Sequence, residues 1–193
     1  MKNLLCILAF VLTTAGITNA APITFFGLIS GANENPATGS PGTGTATVTY
    51  DPVTHLLGVD VAFSGLEAGT TASHIHCCIL PDGNTGVATT VPTFANFPLG
   101  VESGTYVNTL DLTLASSFNP AFVTANGGTV SSAEAALATG LEDGMAYLNI
   151  HTTAFPNGEV RAFLATVPEP SSVMLLAIAG AALVLFSRRQ GRT

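Results

Sequence analysis

Between residues 22 and 166 a turn signal arrives about every ten residues, and the intervening stretches are rich in Thr, Val, Ala and Gly. Such short intervals suit strands and leave little room for helices. Residues 23–30 read as a first strand, with Phe25 and Phe26 as core candidates. Residues 43–50 and 56–63 read as a hairpin turned at Asp51 and Pro52. Further strands are expected at 71–80, 87–91 and 104–114, and a last hairpin at 145–152 and 159–165 turns through Phe155, Pro156, Asn157 and Gly158. One short helix is expected at 133–139, with Ser131 and Glu134 as its capping box and Gly140 ending it. The expected fold is all-β, an antiparallel Greek-key β-sandwich or flattened barrel with one short helix and a core of Phe, Val, Leu and Ile.

Both termini differ from this pattern. Lys2 precedes an apolar run over residues 4–11, and Thr18, Asn19 and Ala20 form a small-x-small site, the order of a secretory signal peptide. Cleavage by signal peptidase is expected after Ala20, with Ala21 the alternative. At the other end, residues 167–172 break the strand pattern, 173–186 are uninterrupted apolar, and Arg188, Arg189 and Arg192 follow. Fourteen residues make a helix of roughly 21 Å against a bilayer core of roughly 30 Å, a span of marginal length. Arginines after the span stay cytoplasmic, which leaves the preceding domain outside. The expected organisation is a signal peptide at 1–20, a β domain at 22–166, and a C-terminal tail at 167–193 whose transmembrane helix is about 173–186.

Residues 22–166 contain eleven acids and one cation, Arg161, a net charge of −10 with His neutral. That surface repels phosphate backbones and excludes nucleic acid as a partner. The domain has no Lys, which excludes Schiff-base chemistry, and no Ser lies in a Gly-x-Ser-x-Gly elbow.

Alternation along 71–80 puts His74, His76 and Cys78 on one face, and along 147–152 it puts Tyr147, Asn149 and His151 on one face. If the two strands are neighbours, His74, His76 and His151 can hold Zn²⁺ or Cu²⁺, with Cys78 as a soft fourth ligand. The competing reading is a buried polar network in which each imidazole bonds backbone or carboxylate. Glu159 and Arg161 share a face in the hairpin partner of the His151 strand. With Asn149 they are candidates to orient the ligands, or to pair with each other. Cys77 and Cys78 are left open between a vicinal disulfide, a ligand role, an intermolecular bridge and two buried apolar side chains.

Two resemblances are carried by these residues. Pro168, Glu169 and Pro170, the short apolar helix and the terminal arginines resemble the PEP-CTERM sorting tail. This implies an exopolysaccharide-producing bacterium and processing by an exosortase. The second rests on Gly31, Asn33, Glu34 and Pro36 in the opening segment, Gly65 and Leu66 ahead of His74-Ile75-His76, and the ending that runs from Tyr147 through His151 to Arg161. These resemble the CHRD domain, named from chordin, although Cys77 stands where that family usually has Gly. The resemblance implies an exported domain of the cell envelope or extracellular matrix that binds or builds without catalysing, with exopolysaccharide or a matrix protein as its partner. The alternative is a His-ligated metalloprotein with redox or hydrolytic activity.

Overall fold

The structure, a computed structural model, describes residues 20–168 other than Asp82. Most of the signal peptide expected at 1–20, the membrane helix expected at 173–186, and Glu169 and Pro170 lie outside the described residues. Ala20 and Pro168 are described and exposed. No helix among the described residues is long and apolar enough to cross a membrane.

The eight strands of the described residues join one antiparallel sheet curled into a half-barrel, in the order β4-β6-β7-β1-β2-β3-β5 with β8 also on β1. The strands are β1 (Ile23–Ser30), β2 (Thr43–Asp51), β3 (Leu56–Ser64), β4 (Thr70–Cys77), β5 (Gly104–Asp111), β6 (Ala146–Thr152), β7 (Val160–Phe163) and β8 (Ala165–Thr166). One face of the sheet carries the core: Phe25, Val48, Leu57, Val59, Ile75, Leu148 and Ile150 are buried there in one apolar cluster. Phe26 is the exception to expectation. It alternates to the other face of β1 and is 39% exposed.

Helix α2 (Val130–Glu142) is longer than expected and starts earlier, because Thr129 caps it and closes a capping box with Ser132. Glu134, expected to be the box partner, is buried, accepting from Tyr50 Oη at 2.9 Å and lying 2.8 Å from His55 Nδ1. Ala133, Leu137, Gly140 and Leu141 form the buried stripe of α2. A second helix, α1 (Pro120–Ala125), was not expected, although Asn119 accepts from Ala121 N and Pro120 opens the first turn.

β4 and β5 lie at opposite ends of the sheet, and the irregular stretch 85–101 bridges them. Ala88 N and Phe94 N donate to β4 carbonyls of Ile75 and Ser73, while Tyr106 Oη of β5 donates to Ala95 O at 3.2 Å. Phe94 and Phe97 stack and cross against Tyr106. The stretch therefore covers the free edge of β4 that would otherwise invite another strand. The strand expected at 87–91 is replaced by isolated bridges at Val87 and Thr89, because Thr89 is fixed by its side chain to Ile75. β4 itself stops at Cys77 rather than 80. Cys77 and Cys78 are joined by a disulfide, and adjacent side chains on a continuing strand would point to opposite faces.

Candidate metal centre

β4 and β6 pair with His76 opposite Tyr147, His74 opposite Asn149 and Ala72 opposite His151. β7 adds Phe163 beside Tyr147 and Arg161 beside Asn149. Alternation places all of these on the face opposite the core, where Ile75, Leu148 and Ala162 point the other way. Loops containing residues 31–42, 83–93 and 153–158 fold over this polar layer, so His74 is 6% and His76 8% exposed.

The rings of His74, His76 and His151 lie with centroids 5.2 to 5.9 Å apart. One ring nitrogen from each lies within 4.8 Å of the others. Each ring is held through its remaining nitrogen by a backbone carbonyl. His74 Nε2 bonds Pro92 O, His76 Nδ1 bonds Thr85 O at 2.8 Å, and His151 Nδ1 bonds Pro156 O at 2.9 Å. A carbonyl only accepts, so each of these nitrogens carries the hydrogen and the other carries a lone pair. Those lone-pair nitrogens, His74 Nδ1, His76 Nε2 and His151 Nε2, are buried and have no partner. Burial lowers the pKa of all three rings, that of His76 to about 4, so they are neutral at neutral pH. His76 is further positioned by stacking on Tyr147, 4.8 Å between centroids and nearly parallel.

The remaining sequence candidates divide. Cys78 stands apart from the three imidazoles: its sulfur is bonded to Cys77, so it offers no thiolate. Glu159 is fully buried on other partners, accepting from Ser40 Oγ, Glu67 N and Thr152 Oγ1, and does not orient His151. Arg161 does not pair with Glu159. It donates to the carbonyls of Asn33 and Gly83 and to Asn84 Oδ1, with its guanidinium 4.8 Å from the Tyr147 ring centre. Glu34 Oε2 lies 3.8 Å from Arg161 Nε. Asn149 donates through Nδ2 to Glu34 Oε1 at 2.9 Å and leaves its Oδ1 without a partner. Burial raises the Glu34 carboxyl to a pKa of about 7, against the opposing pull of Arg161 and of the Asn149 amide. The polar-network reading of the sequence allowed each imidazole a backbone bond, and one nitrogen of each ring makes it; which carbonyl supplies it was not readable, since every residue carries one and no side-chain pattern marks it. Glu34 entered the sequence reading only among the residues that carry the family resemblance, with no role at the site.

Comparison with known families adds two findings. The model of the CHRD domain matches residues 25–164, and that of the PEP-CTERM protein-sorting motif matches residues 166–190. No curated protein and no solved structure matches the chain.

Proposed function

The chain belongs to the CHRD domain family and carries a PEP-CTERM sorting motif, and from that premise we propose that its β domain is a metal-binding module without a reaction of its own. The sorting motif makes it an exported protein processed by an exosortase, anchored at the envelope or released after processing. The CHRD domain is not a known enzyme family, which favours binding over the redox or hydrolytic alternative.

One observation carries the metal reading. Three buried imidazole nitrogens, each with its lone pair fixed by a carbonyl on the far side of the ring, face a common space without a partner. Buried polar atoms are nearly always hydrogen-bonded, so three orphans in one patch need a common explanation. A single water donates two hydrogens and leaves the third lone pair unsatisfied. A cation accepts all three. Neutral imidazoles suit Zn²⁺ and Cu²⁺, and a ring held by a carbonyl through its second nitrogen is the usual support for such a ligand. Ligands about 2.0–2.1 Å from an ion in tetrahedral geometry stand about 3.3 Å apart, so the nitrogens, within 4.8 Å of one another here, draw together on binding.

The test is metal analysis of the full chain purified without added ions, followed by melting with zinc or copper. An ion at a hundredfold excess over its Kd stabilises by about 2.7 kcal/mol, which raises Tm by several degrees. His76→Ala, in a chain that still melts cooperatively, removes the rise. No rise with either ion would sink the reading.

A further inference from the structure

Four buried side-chain atoms among the described residues have no hydrogen-bond partner: the three imidazole nitrogens and Asn149 Oδ1. All four offer a lone pair and none offers a hydrogen. The proposed ion accounts for the three nitrogens and leaves the amide oxygen.

The orientation of that amide is fixed by one hydrogen bond, and its position by close packing. Its Nδ2 donates to Glu34 Oε1, which prevents an exchange of oxygen and nitrogen while Glu34 is ionised. Gly158, at φ 122°, lies so close that a Cβ there would stand 2.6 Å from the amide. Asn149 faces His74 across the strand pair and is two residues from His151 on β6. An acceptor held there is matched to whatever occupies the ion's position beyond the three imidazoles.

Beside His76 and Asn149, though not lined by His74 or His151, opens a cavity of about 690 Å³ whose wall also includes Glu34, Tyr147, Asn84 and Phe155. Its volume is in the range of small-molecule sites. Resting on the metal reading above, we infer that Asn149 Oδ1 accepts the hydrogen of a neutral hydroxyl ligand bound to the ion, water at rest and a saccharide or other polyol when the cavity is filled. A hydroxyl oxygen gives a lone pair to the ion and its hydrogen to the amide, satisfying both. An anion brings no hydrogen, meets the amide oxygen, and enters a domain of net charge −10. Phe155 adds an aromatic face for the C–H side of a ring.

Cobalt(II) is the reporter, since its visible d–d band responds to a change in the fourth ligand. The full chain loaded with one cobalt is titrated with glycerol, with D-glucose and with sodium azide at constant ionic strength. The expected result is a saturable band shift with glycerol or glucose and none with azide at equal concentration. Asn149→Leu is expected to keep the cobalt and lose the polyol shift. A shift with azide alone overturns the inference while leaving the metal reading intact, as does a band that no reagent moves, which would mean Asn149 closes the position itself. An unchanged polyol response in Asn149→Leu removes the role of the amide. The contrast between azide and polyol in the unaltered chain decides the ligand class even if that variant does not fold. A chain that binds no cobalt overturns both readings together.

Discussion

Gly140 has no side chain because two sulfurs occupy the space. A Cβ built there would collide with Sγ of both Cys77 and Cys78, where α2 crosses the end of β4. In the sequence this glycine reads as a helix stop, yet α2 runs through it to Glu142. Its reason is tertiary, and the disulfide that demands it was one of four open readings of Cys77 and Cys78. Gly140→Ala should therefore cost about 1–3 kcal/mol by overpacking, although alanine is the better helix former. Urea unfolding checks this, and a stabilised variant would refute the contact. At the same scale the site was partly legible. His74, His76 and His151 stand out by type and alternation, whereas Cys78 and Glu159 share the alternation and are engaged by other partners.

Strand β7 shows how one element organises what covers the site. Its Arg161 is 1% exposed and reaches over Tyr147 to hold Asn33 in the first loop and Gly83 and Asn84 in another. Asn33 returns a bond from Nδ2 to Arg161 O at 3.0 Å. Both loops also frame the cavity beside His76. Arg161→Met keeps the apolar stem and removes the donors, leaving three carbonyl-type acceptors uncompensated. The expected loss is about 3–5 kcal/mol in denaturant unfolding, with weaker retention of metal by equilibrium dialysis. Equal stability in variant and wild type would show that the loops hold themselves. The hairpins β2–β3 and β6–β7 were readable from alternation and turn residues. The 85–101 seam was not, because its bonds join residues distant in sequence and its backbone follows no period.

For the whole molecule, burial of the polar layer sets two opposed pH dependences. Glu34 holds its proton more tightly in the folded chain, with a pKa of about 7 against an ordinary 4.5. Its contribution is full below pH 4.5 and is lost as pH rises through 7. His76 is shifted the other way, from 6.5 to about 4, so its contribution is full above 6.5 and is lost as pH falls through 4. Glu34→Gln removes only the first. With EDTA present, the variant should lose Tm more steeply than wild type as pH falls from 7 to 4.5, and parallel curves would contradict the shifted carboxyl. By itself the sequence determined the strand periodicity, the all-β class, the sorting signal and the residue types available for a metal. Each of these is written in local spacing and composition. Only the tertiary structure decided that β4 lies beside β6 and that three carbonyls turn the imidazole lone pairs inward. It also decided that Cys78 and Glu159 are engaged by other partners while Asn149 Oδ1 is left without one. Those depend on strand order and loop closure, where the partners are many residues apart and leave no local mark.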